Sequence, residues 1–419
     1  MNIKPNDRIV IIGGGFAGIK IIKDLKNKPV RITLIDKHNF HSFQPLLYQV
    51  ASARVEPASI SFPFRKMFQG YKNFDFRMAK VERVDKEQKM VVTDNGNVRY
   101  DHLIIATGCT TNFFGNEEMK KNALPMKTMQ EAIDIRNKVL QDFESYATAS
   151  SEEKEKLMNI VIVGAGATGV ELSGAFSELK NDVLPKDYPK VDFSGLDIYL
   201  LEGSENTLGN MSDDSKKTSR KYLEELGVRV KTGVVLKSYD GDNAVLSNGE
   251  IIPCKNLIWS AGVTGNVVQG VVNPENIVRN RYIVDRYNRV VDTENIYAVG
   301  DIAYMETPLY PKGHPQVANV AINQGKNLAK NFIRSMNEKK LTEYEYKDMG
   351  MMATIGKNKA VVDLKHIHFE GIMAWLVWMF LHLMLILSVR NKLIIFINWA
   401  WAYITKDTSL RLIINSDKE

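Results

Sequence analysis

A chain of 419 residues is too long for one compact core, and its globular composition predicts two or three domains. With 55 Lys and Arg against 49 Asp and Glu the net charge is +6, too mild to indicate nucleic acid and equally suited to a surface of anionic lipid. The two cysteines, Cys109 and Cys254, form no CxxC or CxxxxC, which argues against a disulfide relay or a cysteine metal site and for a reduced, cytoplasmic setting.

The apolar residues 9–12 run into Gly13-x-Gly15-x-x-Gly18, after which the apolar spacing turns helical: the strand, tight turn and helix of a dinucleotide-binding unit. Gly13 permits the turn, Gly15 lets a pyrophosphate approach the backbone, and Gly18 lets helix and strand pack closely, so that phosphate sits at the positive end of the helix. Residues 30–36 read as the next strand, and Asp36 at its end, 23 residues past Gly13, suits ribose hydroxyls. A chance glycine turn would not bring strand, helix and acid together in this order. The run at Ile9 is too short for a signal peptide and ends in glycines the nucleotide site needs, so none is expected.

Residues 37–51 lack helical or strand periodicity; their aromatic and amide side chains, Gln49 among them, suit a loop lining a flat ring system. Short strands are predicted at 78–84 and 90–93, then an Asn-Gly hairpin turn at 94–96 and a strand running into Ala106-Thr107-Gly108. Residues 159–163 followed by Gly164-x-Gly166-x-x-Gly169 repeat the opening pattern, with a partner strand at 196–202 ending in Glu202. The gap to that acid exceeds the usual ~20 residues, and the insert carrying Asn181, Pro185, Asp187 and Pro189 reads as a loop. Two dinucleotide sites in one chain argue for a flavin taking hydride from a nicotinamide. The first half then returns: residues 256–262 end in Ala261-Gly262, as 103–108 end in a glycine turn, and residues 294–301 deliver Asp301 at a strand end, where such flavoproteins meet the ribityl chain of FAD. The flavin domain is therefore expected to be discontinuous, with the nicotinamide domain inserted in it.

Together these motifs resemble those of the type II NADH:quinone oxidoreductases, the non-proton-pumping NADH dehydrogenases among the pyridine nucleotide disulfide oxidoreductase-like flavoproteins. The likeness covers nearly the whole chain, and its most discriminating element is Phe-Gln-Pro-Leu-Leu-Tyr-Gln at 43–49, near where disulfide reductases carry a CxxxxC. The resemblance implies FAD-dependent oxidation of NADH and reduction of a membrane quinone. Gly13, Gly15, Gly18, Asp36, Gln49, Gly108 and Asp301 would serve FAD, and Gly164, Gly166, Gly169, Glu202 and Gly262 would serve NADH. It also implies that Glu171 faces the cavity between nicotinamide, flavin and quinone, influencing proton delivery or substrate position; as a plain first-turn glutamate it would instead complement the helix dipole. A helix is predicted from Gln316, behind Pro315, its N-terminus aimed at the flavin. The family's Ala-Gln-x-Ala-x-Gln segment near the quinone falls at 318–323, where Asn319 and Asn323 are each one methylene shorter, so Gln316 and Gln324 become alternative contacts. His314, His366, His368 and His382 are scattered, and no metal is expected.

Residues 371–389 carry no formal charge, four of the five tryptophans fall between Trp375 and Trp401, and Arg390-Asn391-Lys392 interrupts the apolar stretch. Two helices hinged at that basic break and lying in one leaflet fit this pattern better than a minimal span or helices buried in a dimer core. The expected architecture is α/β: two Rossmann-like dinucleotide-binding domains plus a C-terminal amphipathic helical membrane-anchoring region. Its boundaries are 1–115 and 266–340 for FAD, 116–265 for NADH and 341–419 for the membrane. NADH, a membrane quinone and the lipid bilayer on the cytoplasmic face of the cell membrane are the expected partners, with a homodimer compatible and nucleic acid not expected. A sulfide:quinone oxidoreductase would need paired reactive cysteines; a flavin-binding interaction protein responding to NADH would need no fast turnover.

Overall fold

The computed structural model describes residues 1–146, 148–365, 367–407 and 410–414. Two compact units emerge: one from Met1–His41, Phe62–Thr110 and Val263–Lys347, the other from Ser42–Ser61, Thr111–Gly262 and the segment from Asp348 onward.

In the first unit a parallel sheet runs in the order Ile296–Ala298, His102–Ile105, Arg8–Ile12, Arg31–Asp36, Phe74–Met78. Its strands are near-continuous aliphatic runs because both faces are covered. Along the central strand Ile9 and Ile11 face one cluster and Val10 and Ile12 the other, the period of two that a strand imposes. Helices Phe16–Asp24 and Ala318–Met336 cover the first face, so close together that a Cβ on Gly325 would lie 2.8 Å from the Ala17 carbonyl oxygen. An antiparallel sheet of Val81–Asp85, Met90–Thr93 and Val98–Arg99 lies on the other side, its last two strands joined through the Asp94–Gly96 turn. The single strand expected at 78–84 is thus two strands of different sheets. The chain leaves the parallel ladder where the Ala79 N–H donates to Asp36 O and enters the second where Lys80 N–H donates to Asp94 Oδ1.

The second unit repeats the plan. Its parallel sheet runs Leu124–Pro125, Asn256–Trp259, Asn159–Val163, Asp197–Glu202, Val228–Thr232. As in the first unit, the strand before the glycine turn is central, with the acid-ended strand on one side and the strand leading to the second glycine turn on the other. The insert before Asp197 is helical through Asp187, where a loop was expected, and is irregular at 188–196, where Pro189 lies. Helix Ala167–Glu178 continues through a widened π turn, Leu179–Val183, into Leu184–Asp187, and Pro185 is tolerated because the first turn needs no N–H from it. Residues 43–51, also expected as loop, fold into a short turn and the helix Leu47–Ala51, every residue of which is buried.

After Asp348 an antiparallel sheet, Met351–Gly356, Lys359–Leu364 and Ile367–Glu370, precedes two helices, Gly371–Leu385 and Val389–Thr405. The break falls at 386–388, ahead of the basic triplet and not within it. Arg390-Asn391-Lys392 forms the first turn of the second helix, where Lys392 N–H donates to Ser388 O and buried Asn391 donates to Ser59 O. The first helix, 15 residues or about 22 Å, falls short of the ~30 Å hydrocarbon core. Among the described residues no helix is long and apolar enough to cross a membrane, which sets aside the single span. Both helices nevertheless expose large apolar side chains, among them Phe380, Phe396, Trp401 and Ile404.

Helix Ala167–Glu178 rests directly on strand Met351–Gly356 at Gly174, where an added Cβ would lie 1.6 Å from the Ile355 carbonyl oxygen. Gly174→Ala should therefore cost roughly 1–3 kcal/mol, lowering the thermal midpoint by several degrees, while Gly195→Ala, at an open position, leaves it unchanged. Equal midpoints for the two variants would contradict this packing.

Candidate functional site

Each parallel sheet ends in a glycine turn of the same construction. Gly13 and Gly164 have φ of 103° and 100°, and an added Cβ would press on Ala106 O at 2.4 Å or Ala261 Cα at 2.8 Å. Gly18 and Gly169 abut the turn itself, 2.2 Å from Gly13 O and 1.9 Å from Gly164 O, whereas nothing lies within 4 Å of a Cβ on Gly15 or Gly166. Gly15 and Gly166 are also the N-caps of their helices, with no side-chain cap and no acid in either first turn. Open space before a helix N-terminus with no side-chain cap fits the pyrophosphate of a dinucleotide in both units.

The acids at the neighbouring strand ends hold these turns. Asp36 Oδ2 accepts from Gly14 N–H at 2.7 Å and Oδ1 from His38 N–H at 2.8 Å; Glu202 Oε2 accepts from Ala165 N–H and Oε1 from Ser204 N–H, both at 2.8 Å. Burial raises the Asp36 carboxyl, and the two backbone bonds offset this in part. Gly14 is gripped from the other side as well: buried His41 donates from Nδ1 to Gly14 O at 3.0 Å, its imidazole pushed down to about 4 by burial and therefore neutral. Gly108 and Gly262, both at positive φ, differ in that Gly108 is open while Gly262 lies under the Phe114 ring.

Around Asp301, Cys109 Sγ donates to Oδ2 at 2.9 Å and Gln316 Nε2 to the backbone oxygen at 2.9 Å. The helix begins at Ala318, two residues later than expected, leaving Gln316 outside it. Fully buried Gln324 accepts the Gly300 N–H at 2.7 Å, fixing the turn that presents Asp301. Asn319 and Asn323 are tied to each other along the helix, Asn323 Nδ2 donating to Asn319 Oδ1 at 2.8 Å. His314 is buried beside Tyr310 and Tyr344, and burial pushes it down to about 4. Among the described residues no group of three or more His, Cys, Asp and Glu is placed to hold a metal; His366 lies outside them.

In the second unit Glu171 lines a cavity with Tyr48, Gln49, Arg54, Glu178 and Trp378, with ≈ 80 Å³ of room for water centres, enough for several waters. The structure thus places Gln49 beside Glu171, oriented by donation to Tyr48 OH at 2.9 Å and by Trp399 Nε1 donating to its Oε1 at 2.8 Å. His382 stacks on Trp378 at 3.9 Å and is pushed down to about 4 by burial. Desolvation pushes the Glu171 carboxyl up to about 8, opposed only in part by the Thr354 backbone and the Trp378 indole. Glu171 stands at the fifth position of helix Ala167–Glu178, beyond its first turn, which holds no acid, so it is not placed as a first-turn complement to the helix dipole. His41 and Arg54 carried no sequence signal, while Glu178 had one: it stands seven residues after Glu171, on the same helix face.

Family comparison agrees with this geometry. Residues 7–325 match the pyridine nucleotide-disulphide oxidoreductase model and residues 349–406 the NDH2 C-terminal domain model. The chain is 30% identical over 418 residues, 95% of its own length and 88% of the relative's, to a Mycobacterium tuberculosis protein described as type II NADH:quinone oxidoreductase Ndh. Its fold resembles that of NDH2 from Plasmodium falciparum, solved in complex with NADH, with a TM-score of 0.89 at 22% identity, covering 98% of this chain and 100% of that one. The sulfide:quinone oxidoreductase of Aquifex aeolicus is less similar, with a TM-score of 0.72 at 21% identity and 92% of each chain covered.

The desolvated Glu171 carboxyl gives the fold a pH signature. Unfolded, it titrates near 4.5; folded, at about 8. Between those values the folded state binds more protons, so its contribution to stability is full below the lower value and is lost as pH rises through the upper one. Glu171→Gln should therefore gain in thermal midpoint relative to the parent from about pH 5 to about pH 8.5 and level off above that. A difference that does not change with pH would contradict a desolvated, protonated Glu171.

Proposed function

The chain belongs to the pyridine nucleotide-disulphide oxidoreductases and, within them, to the type II NADH:quinone oxidoreductases, and from that premise we propose that its first glycine turn holds FAD, its second NADH, and the Glu171 cavity the quinone. The enzyme oxidises NADH and reduces a quinone. The observation that carries the assignment of two dinucleotides is the pair of helix N-termini capped only by Gly15 and Gly166, each with open space before it and an acid behind it. A bound FAD supplies the two-electron relay between NADH and quinone.

What the chain itself does is position and tune. The turn at Gly13 to Gly18 takes the FAD pyrophosphate and Asp36 its ribose, while Asp301, oriented by Gly300 and Gln324, reaches the ribityl hydroxyls. Gly164 to Gly169 take the NADH pyrophosphate and Glu202 its ribose. Glu202 spends one lone pair of each oxygen on a backbone N–H and keeps the others for hydroxyls, at a place where a 2′-phosphate would be repelled. Glu171, protonated at neutral pH, donates toward a quinone oxygen, and Gln49, locked by Tyr48 and Trp399, fixes the ring beside it. The apolar side chains exposed on Gly371–Leu385 and Val389–Thr405 seat the protein on the lipid that supplies the quinone, on the cytoplasmic face where NADH is present.

A sulfide-oxidising reading has little support. The Cys254 thiol is buried and pushed up to about 12, far from a reactive thiolate, while Cys109 belongs to the other unit and is bonded to Asp301.

Purified protein should release FAD on denaturation and oxidise NADH continuously with a soluble quinone; release of FMN, or no quinone-dependent oxidation, would overturn the reading. Glu202→Ala should narrow the preference for NADH over NADPH in kcat/KM by about ten-fold, the equivalent of ~1.4 kcal/mol of lost repulsion. An unchanged ratio would remove Glu202 from the ribose.

A further inference from the structure

Two cavities meet at one ion pair in the second unit. The Glu171 cavity and a smaller one, ≈ 30 Å³ in water-centre volume, share Arg54, Glu178 and Lys357 as walls. Between them Arg54 pairs with buried Glu178, whose other oxygen accepts the Lys357 backbone N–H. The smaller cavity ends at Asp182 and Lys406, an ion pair 3.4 Å apart with partly exposed side chains. It opens where the helix widens into its π turn, one residue beyond Glu178, and such turns gather at functional sites.

The reaction needs a supply of this kind. NADH gives up a hydride and becomes NAD⁺, while the quinone gains two electrons and two protons; the hydride accounts for one of these protons, and the other comes from water. Glu171 and Glu178 lie two helical turns apart on one face, about 10.5 Å along the axis, too far for direct transfer. Ala175 between them leaves the space open, and the larger cavity has room for a short water chain. The charged and titratable groups facing this space are Arg54, Lys357, Tyr48 and Tyr403 from neighbouring elements and the two glutamates of the helix itself. Glu171, with its carboxyl at about 8, holds a proton at neutral pH.

We propose that the solvent proton consumed by quinone reduction enters at Asp182 and crosses the Arg54–Glu178 pair to reach Glu171 by way of water in the larger cavity. This rests on the quinone assignment of the Glu171 cavity. Glu178 accepts a proton from water on the Asp182 side and returns one to water on the Glu171 side, while Arg54 holds its carboxylate between the two cavities and acts as a positioning residue.

The FAD-loaded full-length protein tests this with two acceptors: a soluble quinone, whose reduction takes up protons, and ferricyanide, a one-electron acceptor that takes up none. Glu178→Gln should slow NADH oxidation by quinone about ten-fold and raise its solvent deuterium isotope effect, change the ferricyanide rate by less than about two-fold, and recover with Glu178→Asp. Asp182→Asn, at the partly exposed mouth, should slow the quinone rate about three-fold with the same selectivity, and it carries the test alone should Glu178→Gln be unstable. Unchanged quinone rates and isotope effects in the variants, or equal losses with both acceptors, overturn the route. A parent protein that reduces ferricyanide but not quinone would strike the quinone assignment itself, an outcome distinct from a working parent with indifferent variants.

Discussion

One hydrogen bond, made twice, sets the geometry on which the rest depends. In each unit the carboxylate ending one strand accepts the backbone N–H that follows the first glycine of the neighbouring turn, Asp36 from Gly14 and Glu202 from Ala165. The bond fixes a left-handed turn that no side chain could occupy without striking backbone, and it aims the next helix with its N-terminus facing open space. On the proposed reading, the acid that meets a ribose thereby also builds the phosphate site. Removing it would cost the shape of the turn and, on the proposed reading, a ligand contact, which explains why the same acid-to-turn geometry recurs with the repeated glycine motif in both units.

The second unit adds a different constraint, a carboxylic acid kept away from bulk water. The two C-terminal helices do this with one face while presenting the other outward. Trp378, Trp399 and Tyr403 line the Glu171 cavity, and Phe380, Phe396 and Ile404 are exposed. On the proposed reading, a lipid-soluble acceptor and a protonated acid are then served by the same pair of helices. The exposed apolar side chains favour a lipid surface, and the aromatic inner face holds bulk solvent away from Glu171 while the cavity keeps room for a few waters.

Much of this was legible because the chain repeats itself. Strand, GxGxxG, helix and acid recur at Gly13 and Gly164 with matching sheet order, since tight turns and close helix–strand approaches leave the sequence few options. The misreadings have physical causes. Residues 47–51 carry no periodicity because they are buried on every side, and periodicity reports only an element with two unlike faces. The insert at 179–187 seemed a loop because Pro185 and Asn181 are turn formers, yet a proline in a helix's first turn breaks nothing. The basic triplet at 390–392 looked like a hinge from its charge alone, whereas the break falls ahead of it, at 386–388. Contacts between distant segments, such as Arg54 with Glu178 or His41 with Gly14, leave no local pattern to read.

The central proposal is that one bound flavin carries electrons from NADH to quinone, and anaerobic stopped-flow absorbance tests it most directly. Mixing the FAD-loaded protein with NADH should bleach the flavin band in a fast phase, and a second mix with quinone should restore it fully at a rate no slower than steady-state turnover. A flavin that NADH does not bleach, or one that bleaches and then recovers more slowly than the enzyme turns over, would contradict the account.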